Sequence, residues 1–172
     1  EILPAGMWIG ENARKQSKPM AQYIKKHDLQ IQQVTGTAFG QDYFKFVENE
    51  SIVLDSEIPS RAIVTVKKIW ATQAVSFAIE VQKARYLHAK DLNDDATYLS
   101  ICENLKLDKE QFIEAFHSQA IKNETQETFA LAQQYASSYP TLLIEKEGKL
   151  YILEQGFAPI EGVLKQIDTI LN

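Results

Sequence analysis

Few residues in this chain of 172 are of types that do chemistry, and their spacing rules out more than it offers. His27, His88 and His117 lie far apart, and none has a second His, Cys or carboxylate at metal-ligand spacing, so no metal site is expected. His88, near the end of an amphipathic stretch, is expected to be a surface or capping residue. Cys102 is the only cysteine, which excludes an internal disulfide. It falls on the apolar face of a predicted helix, where a free thiol behaves as a small hydrophobe. Acidic pairs such as Asp94-Asp95 and Asp108 with Glu110 are explained by capping and solvated faces. Neither a Gly-rich phosphate loop nor a Gly-x-Ser-x-Gly elbow is present. The most informative peptide is Ser137-Ser138-Tyr139-Pro140-Thr141-Leu142-Leu143. A proline just before a strand cannot donate to the sheet and commonly forms a turn there. Two readings stay open: a helix-to-strand connector, or a cis Tyr139-Pro140 bond with the neighbouring backbone exposed to a ligand. No residue of the chain stands out as catalytic.

The elements that would position this peptide follow from hydrophobic spacing. Glu1 to Leu3 is a short strand-like run ending in the turn Pro4-Ala5-Gly6. From Pro19, the apolar positions Met20, Tyr23, Ile24, Ile31 and Val34 predict a helix ending at Gly36, with a short helix over Gln41 to Val47. Pro59 opens a helix with Ile63, Val66 and Ile69-Trp70 on one face, and Thr72 caps the next. In that next helix Ala74, Phe77-Ala78, Val81 and Ala84-Arg85 form one stripe. Asp94 or Asn93 caps a helix carrying Tyr98-Leu99, Cys102 and Leu105. Asp108 with Gln111 opens another that buries Phe112, Ile113 and Phe116. A further helix covers about Ile121 to Tyr135, with Phe129, Ala132 and Ala136 inward. The pattern then changes: Thr141 to Ile144 and Lys149 to Leu153 form an antiparallel hairpin about Glu147-Gly148, and Pro159 starts a closing amphipathic helix.

The composition is that of an ordinary soluble globular protein, with 45% hydrophobic and 24% charged residues. At this length a real core is available without disulfides or a structural metal. Eighteen Lys and Arg against 23 Asp and Glu give a net charge of −5, and no basic stripe exists, so nucleic acid is not an expected partner. No window approaches the length of an apolar membrane span, and the start lacks the layout of a secretion signal. The expected compartment is the cytoplasm, or the periplasm if an exported precursor was processed.

The order of elements resembles the thioredoxin-like fold of the DsbA family, in particular the proteins related to the FrnE and 2-hydroxychromene-2-carboxylate isomerase group. That order is a strand ending in Pro-Ala-Gly, a long helical block, then Tyr-Pro-Thr-Leu-Leu, a hairpin, Gly156 and a last helix. Leu3-Pro4-Ala5-Gly6-Met7 is similar to the family's loop after its second strand, and Pro59-Ser60-Arg61-Ala62 to the start of a domain helix. Ala84-Arg85-Tyr86-Leu87-His88-Ala89 is similar to the end of the next helix. Leu107-Asp108 to Phe112 is similar to a Gly-Leu-Asp helix start with Lys106 in place of glycine. The resemblance implies an α/β fold with a thioredoxin-like portion at 1–12 and 137–172 and an all-helical insertion at 13–136. It also implies that Pro140 is the cis-proline beside a redox centre, that Tyr139 pairs through its backbone with a bound peptide or thiol compound, and that Met7 and Trp8 shape the substrate groove. Trp8 and Trp70, aromatic residues beside a loop or helix end, are of a kind that is more often core or rim packing than ligand contact.

The family's first strand, its Cys-x-x-Cys motif and the helix that follows do not occur in these residues. The resemblance therefore implies an N-terminally incomplete version of a larger protein, with the nucleophilic cysteines upstream of Glu1 and neighbouring strands left unpaired. Three functions follow as expectations. One is a thiol-disulfide oxidoreductase or isomerase acting on peptide, protein or glutathione. Another is a glutathione-dependent isomerase or transferase in which glutathione supplies the thiol. The third is a non-redox binding module, for which strand complementation by a partner or a second copy, as in a homodimer, fills the gap. No cofactor is expected beyond glutathione as substrate or co-substrate.

Overall fold

Local chemistry sets most element boundaries in the computed structural model, which describes all residues from Glu1 to Asn172. Helix α1 (Lys18–Thr35) starts where the Ser17 side chain accepts from the Met20 N–H and stops at Gly36, whose φ of 72° ends the helix with its N–H on the Gln32 carbonyl. Helix α2 spans Gln41–Phe46. Helix α3 (Glu57–Ile69) begins two residues before Pro59, because the Asp55 carboxylate accepts from the Glu57 N–H at 2.8 Å and a proline costs no hydrogen bond in a first turn. Thr72 does not cap α4 (Ala74–Tyr86). It lies within a 3₁₀ turn, Ala71–Gln73, and no side chain caps that helix. Asp94 and Asp108 do cap α5 (Asp95–Asn104) and α6 (Lys109–His117). Helix α7 spans Gln119–Tyr135.

The chain divides into two compact units, Glu1–Phe129 and Ala130–Asn172. In the first, Ala62, Val66, Phe77, Val81, Tyr98, Ile101, Cys102, Phe112 and Phe116 form one buried cluster drawn from α3 to α6. The predicted α4 stripe is buried in full, including Arg85. Helix α3 is buried around more of its circumference than one stripe, with Arg61 and Thr65 inside beside Ala62 and Val64. Arg61 is satisfied there: its Nε donates to Glu57 at 2.8 Å and its Nη1 to the Phe116 carbonyl at 2.8 Å. A smaller cluster joins Ala21, Tyr43 and Val47. Here α1 departs from its predicted face: Ala21 and Asp28 are buried while Tyr23, Ile31 and Val34 are exposed. The short side chain of Ala21 lets the helix approach, and Asp28 is held inside by the Tyr43 hydroxyl at 2.7 Å. Two-residue strands β1 (Arg14–Lys15) and β2 (Val53–Leu54) pair antiparallel.

In the second unit β3 (Thr141–Lys146) and β4 (Lys149–Gln155) pair antiparallel, with Leu143 opposite Ile152, Ile144 opposite Tyr151 and a bulge beside Leu142. The two-residue turn Glu147-Gly148 has φ of 53° and 75°, the positive pair that a tight hairpin requires. Helix α8 (Ile160–Leu171) returns on the hairpin, with Val163 buried and the Lys146 ammonium on the Ile170 carbonyl at 2.6 Å. Each sheet has two strands, so β3 and β4 each have one edge without a partner strand in the chain. Glu1 to Leu3 forms no strand, contrary to the expectation from its sequence: extended backbone becomes a strand only by sharing a hydrogen-bond ladder, and this segment pairs with none.

Candidate functional site

Tyr139 and Pro140 stand at the entrance to β3. The bond between them is cis, and the Pro140 carbonyl accepts from the Gly156 N–H at 2.8 Å, which ties the two ends of the hairpin together. The Thr141 hydroxyl donates to the Ser138 carbonyl at 2.6 Å, closing the turn from the other side. Between these bonds the N–H and C=O of Tyr139 engage no partner, and the residue is 41% exposed. An unsatisfied, accessible backbone unit next to a strand is what an extended ligand pairs with.

Met7 and Trp8 belong to the first unit. Met7 is 67% exposed. The backbone of Trp8 is clamped to Ser56 in both directions: the Trp8 N–H donates to Ser56 Oγ at 3.1 Å, and the Ser56 N–H donates to the Trp8 carbonyl at 2.8 Å. Gly6 permits this path, because a Cβ there would lie 2.8 Å from the Phe129 ring and 2.9 Å from Ile9. On the half-buried indole sits the Arg14 guanidinium, 4.8 Å from the ring centroid. The sequence gives no notice of this pair, since a cation over an aromatic face is made by tertiary folding of the 3₁₀ turn at Gly10–Asn12 and leaves no periodic signal. The four candidate contacts thus fall two in each unit, Met7 with Trp8 and Tyr139 with Pro140.

Among the other reactive side chains, Cys102, His117, Asp28 and Arg85 are buried or engaged, while His27 and His88 lie exposed. Cys102 is fully buried in the main cluster, and burial pushes its thiol up to about 11, so it remains protonated at neutral pH. His117 Nε2 lies 2.7 Å from the Asp95 carboxylate, joining the end of α6 to the start of α5. Asp28 is held above the ordinary aspartate value by burial, an effect opposed by the hydrogen bond from Tyr43 and by the nearby His27 and Arg85. Arg85 is itself engaged, donating to Gln16 Oε1 at 2.9 Å and lying over the Phe46 ring at 4.8 Å. No three His, Cys, Asp or Glu side chains group so as to hold a metal ion. No helix is long and apolar enough to cross a membrane.

No family model matches the sequence. No curated protein matches it either. Solved structures do. A candidate protein disulfide isomerase from Nitrosomonas europaea superposes with a TM-score of 0.85 at 24% identity, over 99% of this chain and 80% of that one. The cytosolic disulfide reductase DsbM from Pseudomonas aeruginosa superposes with a TM-score of 0.74 at 28% identity, over 90% of this chain and 78% of that one. A second structure of DsbM, with GSH, gives 0.74 at 25% identity over 92% and 80%. The chain has a DsbA-like thioredoxin fold with a helical insertion, similar to the fold of these disulfide isomerase and reductase structures.

Proposed function

We propose that the protein is a thiol-disulfide oxidoreductase acting on a thiol or disulfide compound, with glutathione as a substrate or co-substrate. The observation that carries the reading is the likeness to the disulfide reductase DsbM over 90% of the chain. Cys102 does not serve as the nucleophile in this reading, because it is buried and its thiol is held protonated. The reaction needs a Cys-x-x-Cys pair outside these residues. One thiolate attacks a substrate disulfide, forming a mixed disulfide and releasing the substrate's other sulfur as thiolate. The second thiolate then attacks the mixed disulfide, releasing the remaining substrate thiolate and leaving the enzyme pair oxidised. Within the chain, the free backbone of Tyr139 beside Pro140 is the proposed pairing edge for the substrate. Met7 and Trp8 are the proposed contacts in the other unit. Residues 1–12 and 137–172 form the thioredoxin-like portion in this reading, and 13–136 the insertion. We extend to this chain the cytosolic location that DsbM carries in its name.

A second reading, a glutathione-dependent isomerase or transferase in which glutathione itself is the reacting thiol, draws on the DsbM structure with GSH. The two are separated by sequencing the N-terminus of the natural gene product and assaying hydroxyethyl disulfide reduction. A Cys-x-x-Cys pair with turnover is the expected result. A serine in its place, with glutathione conjugation instead, favours the second reading, and neither motif nor turnover overturns both.

A further inference from the structure

We propose that Arg14 is a substrate-binding residue that holds a carboxylate of a peptide thiol such as glutathione, an inference that rests on the oxidoreductase reading above. The chain has three arginines, and their surroundings differ. Arg61 and Arg85 are buried and spend their donors on Glu57, the Phe116 carbonyl and Gln16. Arg14 is exposed and enters none of the chain's ion pairs or side-chain hydrogen bonds. Its guanidinium is nevertheless placed: its central carbon lies 4.8 Å from the centroid of the Trp8 ring, and its backbone is fixed by pairing with Leu54 in β2. A guanidinium held against a ring face with no protein acceptor keeps its N–H groups available, and a carboxylate takes two of them at once. Stacking also removes much of the side-chain freedom that binding would otherwise have to freeze.

The same position answers a charge problem. A chain of net charge −5 repels an acidic peptide thiol, and binding it requires a local cation free of an internal carboxylate. Arg14, followed by Lys15, supplies one beside the exposed Met7 and the clamped Trp8. Met7 and the guanidinium then divide the work. The exposed Met7 offers an apolar surface for the ligand's chain, and Arg14, held by the indole, sets its orientation through the carboxylate.

The test measures S-methylglutathione binding to the full-length protein by calorimetry, because this probe keeps both carboxylates and cannot exchange disulfides. The free acid is compared with its diethyl ester in the native protein, R14Q and R14K. R14Q is expected to weaken free-acid binding about tenfold, equivalent to about 1.4 kcal/mol, and R14K to lose less. Esterification is expected to weaken binding to the native protein by a similar factor while leaving R14Q nearly indifferent, a coupling that a structural role for Arg14 would not produce. The inference is overturned if R14Q binds the free acid as the native protein does, if R14Q loses as much with the ester as with the acid, or if the native protein binds neither form. Hydroxyethyl disulfide carries no charge, so its turnover separates the two claims: turnover in the native protein leaves the oxidoreductase reading standing when the Arg14 claim fails, and its absence removes both.

Discussion

Asp28 shows how one buried carboxylate ties stability to pH. Burial raises its pKa above 3.8, so the folded state binds the proton more tightly than the unfolded chain. The contribution of Asp28 to stability is therefore fully present below that value and is lost as pH rises through the raised folded value. Asp28→Asn removes the ionisation while keeping an oxygen for Tyr43. Urea unfolding across that interval should give a flatter pH dependence for this variant than for the native protein, and equal slopes would refute the assignment. Removing the donor acts in the opposite sense: Tyr43→Phe strips Asp28 of its 2.7 Å bond and should cost about 1–3 kcal/mol at neutral pH. Cys102 gives a simpler test. With its thiol buried and pushed up to about 11, it should resist an aromatic disulfide reagent at pH 7 until denaturant unfolds the first unit. Prompt labelling of the native state would show that the main cluster opens far more readily than its packing implies.

At the scale of elements, the most demanding contact is backbone on backbone. The Gly40 N–H donates to the Tyr86 carbonyl at 2.9 Å, and a methyl group on Gly40 would overlap the Leu87 carbonyl oxygen. Gly40 has φ of −70°, so the constraint is space and not backbone conformation. Gly40→Ala should destabilise by about 2 kcal/mol or more, with a thermal midpoint several degrees lower, because rigid backbone cannot yield as a side chain does. Elements also differ in how much of them is written locally. The α4 stripe from Ala74 to Arg85 is legible because small and apolar residues recur at helical spacing and every one is buried. The caps at Asp94 and Asp108 are legible for the same local reason. The inward face of α1 is not, since the hydrogen bond that holds Asp28 inside comes from Tyr43, fifteen residues later, while Tyr23 and Val34 are left in solvent. Strands of two residues, such as β1 and β2, carry no period at all. At the site, Pro140 marks its turn by residue type. Arg14 over Trp8 and the Ser56 clamp exist only once the chain has folded.

The whole molecule combines an acidic surface charge with an unevenly finished sheet. The first unit has a shared aromatic core from four helices. The second buries Ala132, Leu153 and Val163 but exposes Leu142, Leu150, Ile152, Phe157, Ile160 and Leu164. A fragment of 43 residues with so little interior should not fold alone, and residues 130–172 expressed separately should show an unfolded circular dichroism spectrum.

The free edges of β3 and β4 also govern how the polypeptide behaves as a colloid. Apolar strands with an open ladder are competent to add to one another, and the mutual repulsion of copies carrying a net charge of −5 opposes that addition. That repulsion vanishes near the sequence pI of about 5.3. A solution of these 172 residues should therefore scatter light most strongly near that pH, at a rate that grows with the square of concentration. Added salt should carry the same turbidity toward neutral pH, and a lysine at Leu142 in β3 should clear it.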